Sequence, residues 1–344
     1  MKTRSNENNK NSAAKKIIPA VGMLALSATM LSTSTYAWFT MNKEVQMTGL
    51  SMTAAVGEGM EIALAEVDGT TITMNTTPAD DKSDSWGSAV VVGEYYDKIG
   101  LLNPASSVDG VNLYDATDAT NGGKKASNFK AIDLTNTDNI ATATARTTLE
   151  SSGTVKADEG SVGYCVDIPV HLRTNKKSSS GAKENGEIYC KINITPNSKS
   201  AEGSALGTDV DTLYKAIRVA FIPKTEDTGS DTKIFAVDSE CYGGDKVAVS
   251  GTSAKTASAN LITDNTFVVN ASKFADGVGV NSGLNIPLAD GAGQYGHLDF
   301  TVRVWLEGES TSCYNDKSGQ SWNIDLAFSL GEFDTATTSE GVGA

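Results

Sequence analysis

The sequence has few of the residues on which catalysis and metal binding usually depend. Only two of its 344 residues are histidine, His171 and His297, and no C-x-x-C pair occurs among its four cysteines. The motifs H-E-x-x-H, G-x-S-x-G and G-x-x-x-x-G-K-[ST] are also absent, so no zinc peptidase, serine hydrolase or phosphate-binding loop is indicated. We therefore predict that the protein is not an enzyme, has no cofactor, and carries both histidines on its surface.

Long apolar runs are scarce too, and the one that occurs lies near the N-terminus. Residues 1–16 carry five bases and one acid, and residues 17–31 carry no charge. A basic segment followed by a short apolar core is typical of a secretory signal peptide. Thr35 and Ala37 supply the small residues of a cleavage site, so residues 1–37 are predicted to be removed and Trp38 to begin the mature chain. A retained N-terminal anchor is the alternative.

Basic residues are outnumbered by acidic ones. The whole chain has 28 bases and 42 acids, and removing the five bases and one acid of residues 1–37 leaves 23 against 41, a net charge of −18. Nucleic acids and anionic lipids are bound largely through Lys and Arg. We expect neither as a partner, and contact with the membrane only through the uncleaved signal peptide. Acidic loops such as the one around Asp115 and Asp118 lack the regular spacing of an EF-hand, which leaves only weak calcium binding open.

Four cysteines in an exported chain indicate disulfide bonds. Four cysteines allow three pairings, and we favour Cys165 with Cys190 and Cys241 with Cys313. Two such bonds would brace a chain that is already long enough to bury a sizeable core.

The apolar pattern has a period of two wherever it is strong. Residues 298–306 place Leu298, Phe300, Val302, Val304 and Leu306 on one face, and residues 168–173 and 322–330 alternate in the same way. Such alternation predicts strands with one buried and one wet face. We predict an all-β fold, an antiparallel two-sheet β-sandwich of jelly-roll type with few short helices. The sandwich is expected to span residues 57–334, with a long excursion at 115–160 and a flexible tail at 335–344.

Exposed aromatic residues offer a second interpretation, a carbohydrate- or wall-binding β-sandwich module. Trp305 lies on the predicted wet face of a strong strand. The competing explanation is that another part of the chain covers this face, which is the interpretation we favour. The candidate platform residues are Trp86, Tyr95, Tyr96, Trp305 and Tyr314.

The stretch "TSTYAWFTMNKEV" (residues 33–45) resembles the signal-peptide region of proteins that are processed by the SipW-type signal peptidase of Gram-positive bacteria. The TasA/camelysin family is the main group, with its T-x-A site here at Thr35 and Ala37 and its aromatic residue at Phe39. Two further motifs, "LLNPASSVDGVNLY" (101–114) and "VRVWLEGESTSCYNDKSGQSWNIDLAFS" (302–329), are similar to those of other SipW-type secreted proteins. The resemblance implies a secreted subunit of biofilm-matrix or cell-surface fibres. The metallopeptidase activity attached to the camelysin name has no catalytic motif here.

The resemblance also implies how subunits would join, because in that family the mature N-terminal strand of one subunit inserts into a sheet of the next. Residues 38–56 suit this role: Val45 and Met47 share one face, and after a shift at Gly49 Leu50 and Met52 share the next. Trp38 and Phe39 would be buried by the insertion. The implied partners are further copies of this chain or other matrix subunits. Pairing of this segment within its own sandwich is the alternative.

Overall fold

Strands dominate the structure, which confirms the all-β prediction. The structure is a computed structural model that describes residues 50–57, 59–107, 109–117, 130–150, 155–179, 184–196, 213–224, 229–236, 267–269, 280–291, 293–310, 312–313 and 322–332. The predicted signal peptide, the predicted tail, Cys241 and Tyr314 lie outside the described residues.

A five-stranded sheet forms one side of the core. Its strand order is β17-β13-β19-β1-β5. In chain order its strands are β1 (Leu50–Val56), β5 (Ala89–Val91), β13 (Asn185–Pro196), β17 (Val280–Pro287) and β19 (Trp322–Leu330).

A six-stranded sheet forms the other side, with the order β16-β15-β14-β18-β12-β2. At its centre β12 and β18 pair antiparallel over ten residues, from Cys165 opposite Trp305 to Thr174 opposite Gly296. The strands of this sheet are β2 (Met60–Ala63), β12 (Cys165–Thr174), β14 (Ile217–Pro223), β15 (Lys233–Ala236), β16 (Phe267–Val269) and β18 (Gly296–Leu306).

The chain between β2 and β12 returns once to the five-stranded sheet, as β5, and otherwise forms three small sheets and little helix. The departure from the two large sheets therefore begins near Leu64, well before residue 115. Its strands are β3 (Ala65–Asp68), β4 (Thr71–Met74), β6 (Tyr96–Leu102), β7 (Ala105–Ser106), β8 (Tyr114–Asp115), β9 (Lys130–Ala131), β10 (Ala143–Ala145) and β11 (Lys156–Gly163). The described helices are α1 (Val92–Tyr95) and single 3-10 turns at Ser83–Ser85, Thr137–Asn139 and Leu213–Ala216.

The two large sheets share one hydrophobic core, and phenylalanines join them. Phe328 of β19 lies 5.3 Å from Phe221 and 5.6 Å from Phe300 between ring centroids, and both partners belong to the opposite sheet. All three side chains are fully buried. The predicted apolar faces of β12, β18 and β19 all point into this core, while the jelly-roll arrangement stays a prediction.

We had expected purely antiparallel sheets, but the sheets also contain parallel strand pairs. Among the described strands, β1 pairs parallel with β19, β11 with β6, and β15 with β16. Parallel neighbours need a long connection. The chain supplies one in each case, since most of the protein separates β1 from β19.

Replacing Phe328 with Ala should lower the free energy of unfolding by about 3–5 kcal/mol, because the cavity would open between two phenylalanines of the facing sheet. Urea denaturation followed by tryptophan fluorescence measures this change. Val111→Ala is the control, since Val111 is 42% exposed and its loss should change stability by less than about 0.5 kcal/mol. Equal effects of the two substitutions would contradict the assignment of the core.

Candidate functional site

The N-terminal strand β1 lies inside its own five-stranded sheet. Leu50 opposes Trp322 and Val56 opposes Phe328 in the parallel pairing with β19, and Thr53 opposes Val91 in the antiparallel pairing with β5. Within one chain, Leu50 and Met52 therefore belong to the protein's own sheet. A donor role for them requires this pairing to be exchanged between subunits. Thr35, Ala37, Trp38, Phe39, Val45 and Met47 lie outside the described residues.

The outer face of the six-stranded sheet is covered, contrary to the prediction of a wet face. His171 and Arg173 on β12 and Arg303 and Trp305 on β18 are all buried, and His171 is only 1% exposed. His297 is half-buried. The prediction of two surface histidines was therefore wrong. The alternation was identified correctly, but the chain between β2 and β12 packs against the polar side of the sheet.

The parts of the chain between β2 and β12 that pack on this outer face are called the covering layer below. Arg303 attaches the covering layer to the six-stranded sheet. Its Nε and Nη2 donate to the two carboxylate oxygens of Asp167 at 2.8 and 2.7 Å. Its Nη1 donates to the carbonyl oxygen of Val111 at 2.8 Å. A bidentate pair between Arg and a carboxylate is fixed in direction as well as strong, so the loop around Val111 is held at one position on the sheet.

A second polar contact joins the sheet to the segment that follows β4. Nδ1 of His171 lies 2.8 Å from Oδ1 of Asp299, and the Thr77 hydroxyl donates to the other carboxylate oxygen at 2.5 Å. Burial alone would raise the pKa of Asp299, but the hydrogen bonds from His171 and Thr77 outweigh it and hold that pKa below its ordinary value.

A third contact surrounds Arg173 at the end of the same strand pair. Its Nε donates to Glu61 at 2.6 Å, and its guanidinium carbon lies 4.6 Å from the Trp86 ring centroid and 4.1 Å from that of Tyr295. Asp80 accepts from Arg173 through its backbone carbonyl and pairs with Nε2 of His297 at 2.9 Å. The charged side chains thus bind one another and the covering layer.

The two motifs that carry the family resemblance pack against each other on this covered face. Gly308 donates its N–H to the carbonyl oxygen of Ala105 at 2.9 Å, and the Ser106 hydroxyl donates to the buried carboxylate of Glu309 at 3.3 Å. Gly110 is needed here, because its φ is +72° and an added Cβ would lie 2.7 Å from Cβ of Ala220. The first motif (101–114) therefore belongs to the covering layer, and the second supplies the end of β18 and the residues after it, against which this layer packs.

The aromatic residues considered for a sugar-binding platform are buried. Trp305 and Tyr96 are fully or almost fully covered, and Trp86 and Tyr95 are less than one tenth exposed. Trp305 packs with Ala105, Leu113 and Cys165 in a cluster beneath the covering layer. The interpretation that this face is covered was therefore correct, and the module loses four of its five candidate residues.

The predicted pairing of Cys165 with Cys190 does not occur. Cys165, Cys190 and Cys313 carry free thiols. Cys165 lies on the outer face of the six-stranded sheet beside Trp305, whereas Cys190 lies in the core between the large sheets. Burial, followed by the charge of Asp167, raises the pKa of Cys165 to about 12. The sequence could not show that the two cysteines face different layers.

An open cavity of about 380 Å³ lies where the covering layer meets β12. Asn75, Thr137, Thr142, Tyr96 and Asp167 contribute to its wall. Asp167 is the one charged residue among the described lining residues, and Arg303 already binds its carboxylate. Within the described part of the chain there is also no group of three or more His, Cys, Asp or Glu residues placed to hold a metal ion.

Comparisons with known proteins give no relative. No protein-family model, curated protein or solved structure matches the chain. None of the helices in the described ranges is long and apolar enough to cross a membrane.

Asp299→Asn should lower the free energy of unfolding at pH 7 by about 1–3 kcal/mol, because it removes a charged acceptor that the buried His171 shares with the Thr77 hydroxyl. The pKa of Asp299 is lowered in the folded protein, so its contribution is present above the unfolded pKa of about 3.9 and is lost as the pH falls through the folded value. The difference from the wild type should therefore shrink below about pH 4. Exposed Asp290→Asn is the matched control, and equal pH profiles for the two variants in urea titrations would refute the assignment.

Cys165 and Cys190 should react with iodoacetamide in unfolded protein without any reductant. In the native state alkylation should be roughly 100-fold slower or more, because both thiols are buried and only the thiolate reacts. Peptide mass spectrometry measures both rates. A disulfide-linked peptide pair that contains Cys165 and Cys190, recovered from the unreduced protein, would contradict the structure.

Proposed function

We propose that the protein is a secreted structural subunit of fibres in the biofilm matrix or on the cell surface of a Gram-positive bacterium. Subunits join through the N-terminal strand, and a SipW-type signal peptidase releases that strand by cleavage after Ala37. The observation that carries the proposal is the position of β1, the first described strand of the chain, which is hydrogen-bonded to neighbours on both sides within the five-stranded sheet.

A first strand can be exchanged without unthreading the rest of the fold. Strand β1 continues into β2 only through residues 57–59, and on one side it is held by β5, which is three residues long. The equivalent strand of another subunit would make the same hydrogen bonds with β19. Head-to-tail exchange of this kind, which does not close on itself, produces filaments.

The residues that precede β1 provide reach and driving force. Twelve residues separate the predicted cleavage site from Leu50, and when extended they span roughly 40 Å. Burial of Trp38 and Phe39 in a neighbour would stabilise the contact by about 1.5–3 kcal/mol for each side chain. Main-chain hydrogen bonds would set the direction of the inserted strand.

The opposite edge of the same sheet is closed to strand addition. Asp231 donates its N–H to the Gly283 carbonyl oxygen at 2.7 Å, and Asn285 donates its N–H to the Ser230 hydroxyl at 2.8 Å. Lys233 donates to the carbonyl oxygen of Asn281 at 3.1 Å. An edge blocked in this way does not template another chain, which favours assembly through β1. The carbohydrate-binding alternative has no comparable support, because its described candidate aromatic residues are buried.

Val45→Asp combined with Met47→Asp should abolish assembly of the mature protein and leave the monomer folded. Two carboxylates placed in a dry groove would cost several kcal/mol. Gln46→Asp combined with Thr48→Asp is the matched control, since these positions point to the other face of an extended strand, and this variant should still assemble. Light scattering reports assembly, and circular dichroism reports folding.

Deleting residues 38–48 provides a second test of the same proposal. The shortened protein should remain folded, because β1 can still pair within its own sheet. It should remain a monomer, because the reach and the burial of Trp38 and Phe39 that drive exchange are lost. If it unfolds, the segment belongs to its own subunit; if it forms normal filaments, the donor role is wrong.

A further inference from the structure

Lys233 and Asn281 meet where the two large sheets come together at one edge. Lys233 belongs to β15 of the six-stranded sheet and Asn281 to β17 of the five-stranded sheet. Nζ of Lys233 lies 3.0 Å from the side-chain oxygen Oδ1 of Asn281 and 3.1 Å from its main-chain oxygen. The amine is therefore in direct contact with the carboxamide of a residue from the other sheet.

The surroundings of Lys233 favour its nucleophilic form. The side chain is half-buried, and burial lowers the pKa of its ammonium group, although the nearby Cys190, Asp231 and Glu187 act in the opposite direction. A lower pKa increases the fraction of neutral amine, which is the form that attacks a carbonyl carbon.

The carboxamide of Asn281 is polarised from the other side. The backbone N–H of Gly283 donates to Oδ1 of Asn281 at 2.8 Å. This donor would also stabilise the negative charge that forms on Oδ1 when an amine adds to the carbonyl carbon. Gly283 has a φ of +81°, and a Cβ there would lie 2.4 Å from the carbonyl oxygen of Asp231 and 2.9 Å from Cγ of Lys233. Glycine thus allows the two chains to approach this closely.

From this geometry we propose that Lys233 and Asn281 form an intramolecular isopeptide bond that joins the two large sheets covalently. The neutral amine of Lys233 attacks Cγ of Asn281, and a bond forms between Nζ and Cγ. The bond between Cγ and the amide nitrogen then breaks, and ammonia leaves with one proton that the attacking nitrogen gives up. No oxidant or other reactant is needed.

The bond would fix β17, the edge strand of the five-stranded sheet, to β15 of the six-stranded sheet. Pulling β17 away from the segment that contains β15 would then require breaking a covalent bond and not only hydrogen bonds. The inference depends on the pairing of the two sheets and not on fibre assembly, so the two proposals can fail separately.

Peptide mapping of the full-length secreted protein tests the proposal. Trypsin cannot cleave after a lysine whose amine is bound in an amide. The expected result is a branched peptide that contains both Lys233 and Asn281, with a mass lower by one ammonia molecule than the sum of its parts. Recovery of a free Lys233 cleavage site together with unmodified Asn281 would overturn the proposal, and so would a link from Lys233 to any other residue.

Variants identify the reacting pair. Lys233→Arg keeps the positive charge but removes the amine, and Asn281→Ala removes the carboxamide; each should abolish the mass loss completely. Lys98→Arg, at an exposed lysine of β6, is the matched control and should retain it. If the mass loss persists in Lys233→Arg, it arises elsewhere and the proposal is wrong. Mapping of the wild type decides the question even if a variant fails to fold.

Discussion

Burial of the strand pair β12–β18 on both faces is the constraint on which the rest of the structure depends. The inner face supplies the core shared by the two large sheets. The outer face carries Arg303, Arg173 and His171, and buried charged or polar groups are costly unless they are paired or hydrogen-bonded. Their partners come from three places. These are Asp167 and Asp299 of the same strand pair, Glu61 of β2, and Thr77 and Asp80 of the covering layer. The long chain between β2 and β12 is thus a required third layer over this face.

The sequence predicts the inner half of this arrangement well, because a period of two identifies the core-facing side of each strand. It fails on the outer half, since His171 and Arg173 look like solvent-exposed residues until partners from distant segments cover them. Thr77 and Asp299, which meet at 2.5 Å, are more than two hundred residues apart in the chain. Trp305 was the one local indication, because a large aromatic residue on a nominally wet face needs a cover. Alternation also could not assign Cys165 and Cys190 to different layers.

The proposed assembly follows from the same layering. The edge at β17 is closed to strand addition, whereas β1 is the first described strand and is joined to β2 by residues 57–59. Parallel pairing of β1 with β19 was not expected from the sequence, because local patterns carry no information on which distant strand becomes a neighbour. That pairing places the start of β1 beside Trp322.

Electron microscopy of the purified mature protein, at a resolution that traces the main chain, tests the central claim most directly. The expected result is filaments in which residues 38–56 of each subunit form a strand within the neighbouring subunit. Filaments in which this segment packs against its own subunit would contradict the account. A protein that stays monomeric at high concentration after cleavage would contradict it as well.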